Sequence, residues 1–410
     1  MPQESDSNHP KITQGPLNGL KVLDIATIIA GPMAATLLSD YGADVLKVEL
    51  PIKGDGARDF PPIKNGKGLW WKSINRNKKF ITLDLRKPEG ADILKKIIAK
   101  YDVLIENFRP GTLDKWGLSS EVLWEINPHL VILRTTGFGQ DGPYRNKPGF
   151  GRIFEALGGL TFITGESDGE PMHPGYPIGD AIGSLFGAIG VLAALFKRMN
   201  NPTALGEEID LSITEGVFRI LDFLPIEYDQ LGTIRSRMGN ANQYSSPSAV
   251  YRTIDDHFVS LSGSTNALFA CNARAIGRED LLNEPQFLNN TLRVSNSKEL
   301  NKIFSNWIAK NTLSDVLKAF EAAQGTISPI NSIEQIVSDP QMIYRKAIID
   351  VADADFGSVK LSGVVPRFRN DPCEVRNTAG SLGQDNSEIY ETILGLSIKE
   401  QDELRHRGVI

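Results

Sequence analysis

At 410 residues the chain is long enough for two or more folded units at the usual size of roughly 100–200 residues each. With 41% hydrophobic and 23% charged residues it has a globular composition, which argues against a fibrous or wholly disordered protein. Its net charge of −6 argues against a nucleic-acid partner, though not against a local basic groove. Its two cysteines, Cys271 and Cys373, fit neither a disulfide framework nor a zinc site.

Residues 1–15 are polar and carry no apolar core, so they read as a disordered tail and not a signal peptide. A soluble, cytoplasmic protein is the expectation. Lys21–Ala26 is a short apolar run suited to a buried strand, Gly31-Pro32 opens a helical stretch ending near Gly42, and Asp44–Glu49 reads as the next strand. The unit repeats more loosely through Phe80–Leu85, a helix over Gly90–Lys100, Val103–Glu106 and Val131–Thr135. Alternating strands and helices predict an α/β fold with a parallel sheet. The apolar run Ala181–Phe196, at 16 residues, falls short of the roughly 20 needed to cross a bilayer, so a buried helix and no membrane partner are expected.

The pattern changes after Asp210. A helical stretch near Glu215–Gln230 leads into the polar segment Gly239–Pro247, then a hairpin around Asp255-Asp256 and two helices within Ser297–Gln324. The expected partition is a large domain over 16–220, a linker over 221–246, a smaller α/β domain over 247–328, and a linker with return to the large domain over 329–410, ending in a helix at Lys399–Arg407.

Gly137-Phe138-Gly139-Gln140-Asp141-Gly142 matches a dinucleotide-binding pattern, but that motif needs a helix starting within it, and Pro143 and Pro148 oppose one. Lys72, Arg76, Lys78 and Lys79 in one loop, with Arg109 and Lys115 in another, suit a phosphate-bearing ligand. Asp180 precedes the apolar helix. Aspartate is among the best N-caps, which makes a cap the simplest reading. A carboxylate at a helix N-terminus also meets a favourable dipole, which would keep it ionised and available as a nucleophile. Of the five histidines only His173 is near enough to Asp180 to share its chemistry, and no metal-ligand set stands out.

Several ordered motifs then coincide: Gly19–Asp24, Ala30-Gly31-Pro32, Gly42–Glu49, Asn75–Lys78 with Leu83-Asp84-Leu85, Glu106–Gly111, Gly137-Phe138-Gly139 with Gly142-Pro143-Tyr144, and Gly179-Asp180. Together they resemble the class III CoA-transferases, over residues 16–410. The resemblance implies a Rossmann-like large domain interrupted by a smaller α/β domain, in an interlocked, ring-like homodimer. It implies Asp180 as the catalytic carboxylate, with CoA contacts at Ala30, Asn75, Arg76, Lys78, Asn107, Phe108 and Lys115. Coenzyme A, as acyl-CoA, would be a substrate, with no permanently bound cofactor and no metal. The implied chemistry exchanges CoA between an acyl-CoA and a carboxylic acid through an aspartyl mixed anhydride and an aspartyl-CoA thioester.

Departures narrow the reading. Leu50 stands where formyl-CoA transferases carry an arginine, and the Ala241–Tyr244 segment lacks their glycine run. Gly151 replaces a common acidic residue. The related 2-methylacyl-CoA racemases need two proton-transfer groups, and Phe150 stands where they carry a histidine, which disfavours that alternative. A CoA-binding protein without turnover is the other alternative. Arg152 reads either as a surface cation or, at a helix start where a cation opposes the dipole, as the partner of a carboxylate on the substrate. Its segment borders the reacting acyl group in relatives, so the resemblance makes Phe150 and Arg152 the expected substrate contacts, with dicarboxylic acids the expected substrates.

Overall fold

The structure is a computed structural model that describes residues 15–410, so the tail expected over residues 1–15 lies, up to residue 14, outside the described residues. The chain divides into two compact units. One holds the described residues up to Leu160 with His173–Glu227 and Tyr344–Ile410; the other holds Thr161–Met172 and Tyr228–Ile343.

The first unit is built on β1 (Lys21–Asp24), α1 (Ala30–Asp40), β2 (Asp44–Glu49), β3 (Lys78–Thr82), α2 (Pro88–Ile98), β4 (Val103–Glu106), α3 (Thr112–Lys115), β5 (Val131–Thr136), α4 (Gly151–Leu157), α5 (Ile178–Asn200), β6 (Glu208–Ser212) and α6 (Ile213–Arg219). All six strands run parallel, in the order β3-β2-β1-β4-β5-β6. The short runs of Val, Leu and Ile explain this: a strand covered on both faces needs apolar side chains on both. Leu23, Leu46, Ile81, Leu104 and Ile132 pack with α2 on one face. Their neighbours Val22, Val45, Val103, Val131 and Leu133 pack with α1 and α5 on the other. Strand order reverses between β1 and β4, and in such sheets ligands bind outside the carboxyl ends of the strands at that point.

Helix α5 is 23 residues long, longer than the apolar run suggested, because Ile178–Asp180 and Lys197–Asn200 continue it at both ends. By length and composition it is apolar enough to cross a membrane, yet half of its apolar window is buried as a core helix. Its glycines let it come close: a β-carbon at Gly187 would meet Leu133 at 2.9 Å. The helical stretch expected at Glu215–Gln230 is divided into Ile213–Arg219 and Phe223–Leu231.

In the second unit β7 (Ser248–Arg252) and β8 (Phe258–Ser262) form the expected hairpin, with Asp256 left-handed in its turn at φ 63°, and β9 (Ile327–Pro329) pairs β8 on its other edge. Phe269, Phe287, Phe304 and Phe320 fill its core. The C-terminal stretch returns to the first unit, where the Tyr390 hydroxyl donates to Thr82 O at 2.6 Å.

Candidate active site

The carboxyl ends of β1 and β4 meet at one backbone clamp. Asn107 Oδ1 accepts from Thr27 N–H at 2.7 Å while Asn107 Nδ2 donates to Thr27 O at 2.7 Å. Next to it Ile28 is left-handed at φ 72°, a conformation that disfavours a β-branched residue and must be held from outside. Asp55 holds it, accepting from Ile28 N–H at 3.0 Å. Asp55 is in turn paired with the fully buried Lys47 at 3.1 Å. On the β4 side the buried Glu106 carboxylate accepts from Phe108 N–H at 2.6 Å, and burial pushes its pKa up to about 7.

These loops, with the turn after β5 and the first turns of α4 and α5, enclose a cavity of about 590 Å³. Ala30, Asn107, Phe108, Phe150, Arg152 and Asp180 all line it. So do Arg109, Arg145 and Lys147. A smaller cavity of about 200 Å³ shares Thr27 and Phe108 with it and is walled by Leu50, Leu83, Leu85, Arg86 and Trp116.

Asp180 is not an N-cap. The helix begins at Ile178 with Pro177 as its cap residue, and Asp180 is the third residue of α5. Its carboxylate receives no hydrogen bond from any described residue. Burial, with the nearby negative charge of Glu155 adding to it, raises its pKa to about 6. The dipole was expected to keep this group readily ionised; desolvation outweighs it. The carboxylate lies against the bare backbone of Gly151, where an added β-carbon would stand 2.5 Å from Asp180 Oδ2. Ser184 ties the helix to α1, its hydroxyl donating to Ala30 O at 2.9 Å.

Phe150 is the residue before α4 and is 74% exposed. Arg152, second in α4, is exposed on the cavity wall and has no ion-pair or hydrogen-bond partner among the described residues. Lys115 is exposed on α3 beside Trp116 but lines neither cavity.

Asn75, Arg76 and Lys78 are placed differently. They lie at the start of β3, the opposite end of the sheet from the cavity, and none lines it. Arg76 pairs with Asp40 at 2.6 Å and donates to Ser362 O at 2.6 Å. Lys78 donates to Asp24 at 2.8 Å and to Asn75 Oδ1 at 2.7 Å, and burial lowers its pKa to about 8. Arg76 and Lys78 are thus engaged by Asp40 and Asp24, and Asn75 accepts from Lys78, away from the cavity where the other expected CoA contacts Ala30, Asn107 and Phe108 lie.

The glycine motif ends in turns, and the next helix starts only at Gly151. Among the described residues no group of three His, Cys, Asp or Glu is placed to hold a metal. Sequence reasoning missed Glu155, wholly buried on α4, whose Oε2 lies 3.1 Å from His173 Nδ1 and whose Oε1 accepts from Gly179 N–H at 3.1 Å. Its spacing four residues after Gly151, on the same helix face, was the available signal.

A family model described as CoA-transferase family III matches residues 17–386. The β subunit of succinyl-CoA–L-malate CoA-transferase from Chloroflexus aurantiacus is 40% identical over 96% of this chain and 98% of its own. Succinyl-CoA–D-citramalate CoA-transferase from the same organism is 38% identical over 96% of this chain and 98% of its own. Among solved structures, a CAIB/BAIF family protein from Brucella suis superposes with a TM-score of 0.81 at 30% identity, covering 93% of this chain and all of that one. The chain is a member of CoA-transferase family III.

Proposed function

We propose that the protein moves CoA from a dicarboxylyl-CoA such as succinyl-CoA to a second dicarboxylic acid, with Asp180 as the nucleophile. The observation that carries this reading is the Asp180 carboxylate itself, largely desolvated and without a hydrogen-bond donor, facing a cavity large enough for an acyl thioester. A carboxylate stripped of donors keeps its lone pairs free for attack.

Asp180 attacks the thioester carbonyl and CoA thiolate leaves, forming a mixed anhydride. The thiolate then attacks the aspartyl carbonyl and releases the first acid as its carboxylate, leaving an aspartyl-CoA thioester. The acceptor carboxylate attacks that thioester, and the expelled thiolate takes the new acyl group, restoring Asp180. In each step one anion enters and one leaves, so no net proton transfer is required. Each acyl intermediate must be kept from water, which favours a walled site.

Ala30, Asn107 and Phe108 line the larger cavity, with Phe108 bordering the smaller one too, and suit the pantetheine arm. Leu83, Leu85 and Trp116 offer an apolar seat for the adenine, with Arg109 on the wall of the larger cavity as the cation for a phosphate. Arg152 supplies the unpaired cation for the distal carboxylate of the acid, and both named relatives take succinyl-CoA with a hydroxylated dicarboxylic acid. A homodimer is part of the same reading: Leu185, Ile189, Leu192, Phe196 and Met199 leave an apolar line exposed along α5. A matrix of acyl-CoAs against mono- and dicarboxylic acids, read by mass spectrometry, tests the proposal. CoA exchange confined to monocarboxylates would refute the substrate class.

A further inference from the structure

We infer that Glu155, with His173, is a positioning pair that sets how readily Asp180 gives up its charge to become acylated. This deepens the aspartyl mechanism proposed above and rests on it. Gly151 and Glu155 are one helical turn apart on α4, and that face is applied to the first turn of α5: Gly151 lies against Asp180, and Glu155 against Gly179. Glu155 is wholly buried. One of its oxygens accepts from Gly179 N–H at 3.1 Å, beside the nucleophile in the chain, and the other faces His173 Nδ1 at 3.1 Å.

A neutral glutamine could also accept the Gly179 hydrogen bond, so helix capping alone does not call for a charge here. The reaction does. Asp180 is anionic at rest and neutral in both acyl-aspartyl intermediates, so a fixed negative charge beside it raises the resting state relative to the intermediates. His173, when protonated, offsets that charge and limits the penalty. The titratable and charged groups around Asp180 among the described residues are Glu155 on α4, His173 and Tyr176 in the segment leading into α5, and Arg109, Arg145, Lys147 and Arg152 on the cavity wall. Where α1 and α6 border the cavity they contribute the apolar Ala30 and Ile213.

The test uses the full-length protein with succinyl-CoA and malate as probes. Glu155→Gln keeps the acceptor for Gly179 and removes the charge. Its acid limb of kcat/KM against pH is expected to move down by about half a pH unit or more, and the fraction of enzyme held as aspartyl-CoA thioester with succinyl-CoA alone is expected to fall. His173→Gln removes the imidazole that faces Glu155 at 3.1 Å and is expected to move the same limb upward. A Glu155→Gln profile and adduct fraction equal to wild type, or a His173→Gln profile moved the same way as that of Glu155→Gln, would overturn the inference. Asp180→Asn is run alongside. If it is inactive while Glu155→Gln is unchanged, this inference alone falls; if it turns over like wild type, the aspartyl mechanism falls and takes this inference with it.

Discussion

Asp180 rests on Gly151: a β-carbon at residue 151 would lie 2.5 Å from Asp180 Oδ2, nearer than real β-carbons come to any neighbour. Gly151→Ala must therefore displace the Asp180 carboxylate. Its effect on folding is expected to be small, because gaining alanine in a first helical turn offsets part of the crowding, by about 0.4–1 kcal/mol. A fall in kcat of about tenfold or more with little change in the melting temperature is predicted, since near-attack geometry is sensitive to shifts well below 1 Å. Wild-type kcat in this variant would show that the carboxylate has room to spare.

The raised pKa of Asp180, about 6 against an ordinary 3.8, has two consequences. In the proposed mechanism Asp180 attacks as the carboxylate, so activity is predicted above pH 6 and its loss as pH falls through it. For stability the sign is opposite: an acid whose pKa is raised in the fold penalises the native state above about pH 6, and the penalty disappears as pH falls towards 4. Asp180→Asn should then be more stable than wild type at pH 7.5, by up to about 3 kcal/mol before allowance for solvent in the cavity. Urea denaturation at pH 7.5 and pH 4.5 measures this; the stabilisation should shrink at the lower pH.

Arg152, unpaired among the described residues, gives a test of substrate class. Arg152→Gln is predicted to raise the KM for dicarboxylic acids by about tenfold or more through loss of a charged hydrogen bond. A monocarboxylate such as butyrate should be affected little. Equal losses for both classes would return Arg152 to an ordinary surface charge.

The Asn107 clamp on Thr27 joins the ends of β1 and β4 where the two cavities meet. Asn107→Ala removes both hydrogen bonds to the Thr27 backbone, and the longer one from its hydroxyl, at a half-buried strand end, at a predicted cost of about 1–3 kcal/mol by urea denaturation. Because Thr27 borders both cavities, KM for the acyl-CoA should rise in the same variant. A stability loss with unchanged KM would separate the clamp from cofactor binding.

The parallel sheet was legible in the sequence because its strands are unbroken apolar runs; Asp44–Glu49 and Val103–Glu106 were read to the residue. What local pattern could not convey was which end of the sheet a residue would occupy. Arg76 and Lys78 have the composition of a phosphate site, yet their partners Asp40 and Asp24 lie 36 and 54 residues away in the chain and turn them inward. Asp180 lines the cavity, but its cap position was misjudged, because Ile178 and Gly179 extend the helix past the apolar run. Its electrostatics were misjudged too, since burial depends on α4 and the Glu155 side chain, 25 residues earlier in the chain.

The central claim is that Asp180 becomes covalently acylated. Incubating the protein with succinyl-CoA alone, then digesting it and mapping the adduct by mass spectrometry, tests this most directly. The predicted result is CoA attached to the peptide containing Asp180, with succinate released in equal amount and no adduct in Asp180→Asn. Full CoA transfer by Asp180→Asn, or CoA carried by a different residue, would contradict the account.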